Sequence, residues 1–364
     1  MSRPDVVVVG AGIVGLSIAV QLAERGASVT VVERSGVGAG ASGVQPGGVR
    51  QQWGTRMNCL LARESMSYYR DVYERLRMRM DPGFRRCGYL FLAHSDGALD
   101  RMRENVALQN ALGVPSRIVA PVEAAELVPA LDVAGVIGGA FCAEDGYFDR
   151  PQAILEALGA LVDPQLDEVL AVRAGGHVRL SQAGDLDADA VVVAAGVDTP
   201  RLLPELPIRA EPRYLFFSDP VRERLLEPLV VSVERRLAAK HLADGRLLVS
   251  NLGASGDPQT EAPRWRAAVR EALEELLPRL VYVPLPLLVA GTYDVTPDHQ
   301  AILGEVRDRV WVAAGFSGHG FMHAPAVARI LAEALVEGRE DEALRLLDAA
   351  RFDEGRPLPE PQVV

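Results

Sequence analysis

Apolar positions near the start of the chain change period in the order strand, helix, strand. Val6, Val7, Val8 and Val9 form an unbroken β-branched run, the pattern of a strand buried on both faces of a parallel sheet. Over residues 13–25 the apolar Val14, Ile18 and Leu22 recur at helical spacing, and Gly26 stands where a left-handed cap ends a helix. Residues 28–32 make a second short strand, so the segment predicts a βαβ unit with a right-handed crossover. A glycine-rich loop over residues 35–48 precedes a long amphipathic helix expected over 56–80, with Leu60, Leu61, Tyr69, Val72, Tyr73 and Leu76 on one side. A loop of that length inside a compact domain calls for a function. Asp81, Pro82 and Gly83 break the helix, after which 89–93 reads as a strand and 100–112 as a helix. The buried parallel-strand style returns at 189–196 and 310–315. By contrast, 213–217 and 246–251 are short and flanked by Asp-Pro and Asp-Gly turns, as in an antiparallel sheet.

This order predicts an α/β chain with a discontinuous Rossmann-like dinucleotide domain built from residues 1–80, 141–205 and 288–364. An α+β substrate domain on an antiparallel sheet, residues 81–140 and 206–287, is interleaved with it. The length of 364 residues suits two domains, and 49% hydrophobic with 24% charged residues is an ordinary globular mix. A net charge of −11 disfavours nucleic-acid partners. No apolar run reaches the roughly 20 residues of a membrane span, and Asp5 opens the first one without a basic leader, so a cytoplasmic location is expected. Cys59, Cys87 and Cys142 are too few and too scattered for a disulfide framework or zinc knuckle, and are read as free thiols.

Gly10-Ala-Gly12-Ile-Val-Gly15 is a GxGxxG with a strand before it, a helix after it, and Glu33 eighteen residues beyond the last glycine. In that setting Gly10 permits a tight turn, Gly12 lets backbone approach a pyrophosphate, and Gly15 lets the helix pack on the strand. The helix N-terminus then faces phosphate charge. Glu33 suits a ribose diol and repels a 2′-phosphate. The same glycines also serve as a plain turn in other α/β proteins, but the register of strand, helix and acid points to an adenine dinucleotide. The motif leaves NAD and FAD both open.

Glu33-Arg34, Gly40-Ala-Ser-Gly43 and Pro46-Gly-Gly-Val-Arg50-Gln-Gln-Trp-Gly54 together resemble the extended FAD-binding signature of the D-amino-acid oxidase superfamily, on its sarcosine oxidase and glycine oxidase branch. Thr292-Tyr-Asp-Val-Thr-Pro-Asp298 with Ile302-Leu-Gly304, then Ala314-Gly315-Phe-Ser-Gly-His-Gly-Phe321, resembles that branch's C-terminal flavin motif. Glu126-Leu-Val-Pro-Ala130, Asp145-Gly146 and Ala194-Ala-Gly196 match more loosely. The resemblance implies noncovalent FAD in a domain of the glutathione-reductase type. It carries the cofactor-binding role onto Gly10, Gly12, Ile13, Val14, Gly15, Glu33, Arg34, Ala41, Ser42, Gly43, Gly47, Gly48, Val49, Val169, Ala194, Ala195, Gly196, Gly291, Gly315, Ser317, Gly318, His319, Gly320, Phe321 and Met322. Backbone amides of the second glycine loop suit a flavin's close approach. The loop at 315–320, leading into an apolar helix with Val327, Ile330, Leu331 and Leu335, suits its developing negative charge.

Arg50 stands where the branch carries an arginine that binds the substrate carboxylate, and a guanidinium fork suits that bidentately. The branch's tethering cysteine is replaced by Gly291, its second carboxylate clamp by Met322, and the glycine oxidases' arginine by Tyr293. Tyr293 either donates a hydrogen bond or packs. Lys240 is the only lysine of the chain. Several oxidases of the branch hold a lysine near flavin N5, but that position aligns nearer Leu248, so Lys240 reads either as that group or as a solvated one. His319 and His323 are four apart, a metal spacing, yet no HExxH glutamate accompanies them. His319 is therefore expected beside the flavin, and no metal is expected.

The reading that results is an FAD-dependent oxidoreductase that oxidises the C–N bond of an amino acid or N-alkyl amino acid, of sarcosine, glycine, proline or D-amino-acid type, to an imine. Oxygen or a partner protein takes the electrons. The alternatives are the flavin subunit of a hetero-oligomeric dehydrogenase, resembling sarcosine oxidase β subunits, and a non-catalytic FAD-binding assembly factor. An NAD-dependent dehydrogenase accounts for residues 10–33 but leaves the loops at 40–50 and 315–320 without a role.

Overall fold

The computed structural model describes residues 4–362. A six-stranded sheet is centred on Asp5–Val9, which pairs in parallel with Ser28–Glu33 on one side and Ala190–Val193 on the other. Val310–Ala314 continues the parallel set, Gln165–Leu166 closes one edge, and Ile302–Arg307 lies antiparallel at the other. The β-branched run is buried because both faces are covered. Val6, Val8 and Val192 pack against the helices Ile13–Glu24 and Gly320–Glu337. Val7, Val9, Val191 and Val193 pack against Val172, Val178 and Leu180 of a three-stranded antiparallel layer. Each strand thus alternates between a helical and a β cover, so an unbroken apolar sequence is what it needs.

An eight-stranded sheet runs Leu287–Val295, Arg209–Phe217, Leu247–Asn251, Leu237–His241, Leu229–Ser232, Tyr89–Ala93, Gly138–Cys142, Arg117–Val119. All its pairings are antiparallel except that of Leu229–Ser232 with Tyr89–Ala93. Tyr214, Phe216, Val230 and Val249 turn to the helix Pro258–Leu276, where Trp265, Val269 and Leu273 bury them. The alternate positions Leu215, Val231, Lys240 and Leu248 face a cavity instead. A small sheet of Gly48–Val49, Gly146–Phe148 and Phe84–Arg85 ties the second glycine loop to the rest.

Several element boundaries differ from the sequence expectation. The helix expected over 56–80 is Arg56–Arg70 followed by the single turn Val72–Arg75, because Asp71 takes φ −113° and ψ 14° and redirects the chain. Tyr73, expected on the buried side, is exposed. The helix expected over 100–112 begins at Asp96, where the Ser95 hydroxyl accepts from the Ala98 amide. The loop 35–48 contains a helical turn, Ala41–Val44. Leu287–Val295 was not expected as a strand; it pairs along its whole length with Arg209–Phe217 and brings residues 292–294 to the cavity. No helix among the described residues is long and apolar enough to cross a membrane.

Candidate active site

The first glycine loop lies where three strand ends converge. Gly10 has φ +107°, and a Cβ there would stand 2.6 Å from the Ala194 carbonyl oxygen. A Cβ on Gly15 would collide with the Gly10 carbonyl, so the helix sits directly on the loop. Glu33 is fixed by two backbone donors, with Oε2 accepting from Ala11 N and Oε1 from Ser35 N, both at 2.8 Å. From the second loop, Ser42 Oγ accepts from Ile13 N at 3.0 Å, stapling it to the first turn of the helix. Arg34 pairs with Asp198 at 2.5 Å across the end of the sheet.

These groups open onto a cavity of about 480 Å³ between the two large sheets. Gly10, Gly12, Ile13, Val14, Glu33, Arg34, Ala41, Ser42 and Gly48 line it, as do Val169, Ala194, Ala195, Gly196 and Gly291. Gly318, His319, Gly320, Phe321 and Met322 add the N-terminal turn of the Gly320–Glu337 helix. Gly15, Gly43, Gly47, Val49, Gly315 and Ser317, expected with them, do not line it. The Gly315 amide donates to Asp294 Oδ2 at 2.7 Å and the Ser317 amide to the Asp294 carbonyl at 2.9 Å, which fixes the late loop against Leu287–Val295. Amide donors at a helix start and in a second glycine loop, with a fixed carboxylate as acceptor, are the groups an adenine dinucleotide needs, so the residues present fit one.

Arg50, His319, Tyr293 and Lys240, far apart in sequence, line this same cavity. Lys240 is buried, not a surface lysine. It lies directly across the ladder from Leu248, the position nearest to which the resemblance put the branch's lysine. Its Nζ donates to the Pro46 carbonyl of the second glycine loop and sits 4.1 Å from the centre of the Tyr147 ring. Burial pulls its pKa down to about 7, against the attraction of Asp149.

The Arg50 guanidinium is also buried, 3.6 Å over the Trp53 ring. Nη1 donates to the Gln52 carbonyl and Nη2 to the Gln362 carbonyl, leaving three of its five N–H groups. Beside it, His319 packs edge-on to Trp53 at 4.3 Å, and His323 lies 5.1 Å from the same ring. Burial, reinforced by the Arg50 charge, holds His319 well below the ordinary histidine range and His323 down to about 3, so both rings are neutral. The Nε2 atoms of both are buried without a partner. Burial raises the Tyr293 phenol, whose ring abuts Gly318.

Three further lining residues escaped the sequence reading. Arg213 pairs across the sheet with Gly291 and lies 5.1 Å over the Tyr293 ring. The Tyr89 hydroxyl reaches so close to Gly48 that any Cβ there would collide with it. Asp294, inside the quoted late motif, is buried, and desolvation lifts it to about 6. The motif spacing could have flagged Asp294. Tyr89 and Arg213 carry no local signal, because only strand register brings them to the site.

A sequence model of the family described as "DAO: FAD dependent oxidoreductase" matches residues 5–334. Among curated proteins, the chain is 28% identical over 380 residues to "4-methylaminobutanoate oxidase (formaldehyde-forming)" of Paenarthrobacter nicotinovorans, covering 95% of this chain but only 45% of that longer protein. It is 27% identical to a glycine oxidase of Geobacillus kaustophilus (strain HTA426), covering 93% of this chain and 94% of the relative. Among solved structures, the L-proline dehydrogenase from P. horikoshii superposes with a TM-score of 0.89 at 27% identity, over 98% of this chain and 100% of that one.

Proposed function

The chain belongs to the DAO family of FAD-dependent oxidoreductases, and we propose that within it the protein oxidises the C–N bond of an amino acid or N-alkyl amino acid to an imine, which water then hydrolyses. The observation that carries this reading is that Lys240, Tyr293, Arg50 and His319 share one cavity with the dinucleotide cradle. The relatives named for glycine, 4-methylaminobutanoate and L-proline chemistry support the substrate class.

Bound FAD supplies the acceptor for the electron pair leaving the substrate carbon. The Gly12 amide and the first turn of the helix that follows it would hold its pyrophosphate and Glu33 its adenosine ribose, with the turn at Gly318–Met322 placing a helix N-terminus at the flavin end. The free N–H groups of Arg50 and the Tyr293 hydroxyl would bind the substrate carboxylate and orient its α C–H. The substrate amine reacts as the neutral base. Lys240, buried on the antiparallel wall, would stand beside the flavin and serve the oxidative half, where electrons leave it. With His319 and His323 neutral, the positive charge around Tyr293 comes from Arg50 and Arg213. The division into residues 1–80, 141–205 and 288–364 for the cofactor and 81–140 and 206–287 for the substrate is part of the same reading, with Leu287–Val295 serving both.

The test is anaerobic. The visible spectrum of the FAD-loaded protein is recorded, sarcosine, glycine, L-proline, 4-methylaminobutanoate and a D- and L-amino-acid panel are added, and air is then admitted. Bleaching by one amine is the expected outcome. Flavin that no amine bleaches would overturn the reading in favour of a binding protein without turnover. The likeness to a dehydrogenase over the whole of that chain favours a second reading of the oxidative half, in which a partner and not oxygen takes the electrons. Slow recolouring in air with fast recolouring by an added dye would identify it.

A further inference from the structure

The loop that carries Arg50 is held from an unexpected side. Residues 358–362 cross it, and Glu360, 3% exposed, accepts from Gly54 N at 2.8 Å, Thr55 Oγ1 at 2.7 Å and Asn58 Nδ2 at 2.9 Å. Two residues on, the Gln362 carbonyl accepts directly from Arg50 Nη2 at 2.7 Å, and Gln362 Oε1 from Asn105 Nδ2 at 2.7 Å. The segment is anchored in turn. Leu358 N donates to Asp298 Oδ2 at 3.1 Å and Glu360 N to the Asp298 carbonyl at 3.0 Å, while the fully buried Arg351 grips the Asp298 carboxylate at 2.9 and 3.0 Å. A buried carboxylate with this many donors is a fixed point, and its donors lie at the end of the loop that follows Arg50 and in the first turn of the helix Arg56–Arg70.

We propose that residues 358–362 form a strap that sets the Arg50 guanidinium for the substrate carboxylate, with Glu360 as its positioning residue. The strap occupies one N–H of the fork through the Gln362 carbonyl, and Trp53 covers one of its faces, so the remaining N–H groups are left in one orientation. Its Glu360 carboxylate holds Gly54 and Thr55, where the loop that carries Arg50 runs into the helix. The proposal rests on Arg50 being the carboxylate anchor.

The experiment titrates the FAD-loaded protein with acetate, follows the flavin difference spectrum, and measures hydrogen exchange over residues 50–58 in parallel. Arg50→Gln is expected to raise the acetate Kd by roughly tenfold or more, the loss of a charge-assisted pair. Glu360→Ala should raise it about fivefold and deprotect the 50–58 amides, and Glu360→Gln, which still accepts from Gly54, should restore it to within about twofold. In the Arg50→Gln background, Glu360→Ala should add nothing, since it acts through Arg50. Should Glu360→Ala fail to accumulate folded, Asn105→Ala, which frees only the Gln362 end, should raise Kd about twofold to threefold. An unchanged Kd in Glu360→Ala or Asn105→Ala beside a weakened Arg50→Gln, or an equal loss in the Arg50→Gln background, would overturn the strap alone. Acetate binding that ignores Arg50→Gln would overturn the anchor and the strap together.

Discussion

Lys240 shows how one buried side chain links stability to chemistry. Its ammonium form is disfavoured by burial, so its folded pKa of about 7 lies below the ordinary 10.5. Between those values the unfolded chain binds more protons than the folded one, and stability from this group therefore rises with pH across the window. Below about pH 7 the folded protein carries the full cost of a buried charge. Lys240→Met should accordingly have its most favourable Tm relative to the parent below pH 7 and lose that advantage steadily toward pH 10, as read by thermal melts of the two proteins in matched buffers. A difference independent of pH would show that Lys240 has the same pKa folded and unfolded, its ammonium form undisturbed by burial. The same substitution should leave anaerobic bleaching by the substrate largely intact while slowing recolouring in air by roughly tenfold or more, the scale of removing one placed charge from a dry site. Equal slowing of both halves would instead give Lys240 a part in taking the substrate proton.

Elements with a strong local pattern were legible in the sequence, and those defined by long-range pairing were not. The Val6–Val9 run, the Gly10–Gly15 cradle and the strand at 190–193 carry their meaning in consecutive residues, because burial on two faces needs unbroken apolar character. Leu287–Val295 does not: it is half-buried along its length, interrupted by Gly291, and made a strand by its register with Arg209–Phe217. Arg213, Tyr89 and the 358–362 strap belong to the same class, as does Lys240, whose burial depends on the ladder that sets it opposite Leu248. The helix break at Asp71 was hidden because the apolar positions continue in phase beyond it. The cradle also permits a sharp test. Gly15→Ala places a methyl against the backbone of Gly10, which cannot retreat without moving the loop, so a loss of about 1–3 kcal/mol is expected in urea unfolding of the apoprotein, together with weaker FAD uptake. Gly40→Ala meets no atom within 4 Å and should leave stability near the parent's. Equal effects of the two would show that helix-on-loop contact is not what the glycine serves.

At the scale of the whole molecule, the cavity is walled by both large sheets. Gly10, Glu33 and Ala194 come from the parallel one, and Leu215, Lys240 and Tyr293 from the antiparallel one. Their cores are distinct clusters, one under Val6 and Val192 and another under Phe216 and Trp265, so each sheet could lose its packing separately were nothing to span them. A ligand filling the cavity touches both walls and binds only when both are formed. By mass action, FAD at about a hundred times its Kd should stabilise the native state by about 2.7 kcal/mol, which for a chain of 364 residues corresponds to a Tm rise of about 3–4 °C. The rise should come as one sharper transition, with tryptophan fluorescence, which samples Trp53 beside Arg50, Trp265 beneath the antiparallel sheet and Trp311 in the parallel one, moving together with far-UV circular dichroism. Two transitions of which FAD shifts only one would mean that the cofactor is held by the parallel sheet alone. The cavity's antiparallel wall, and with it the places of Lys240 and Tyr293 beside the flavin, would then have to be given up.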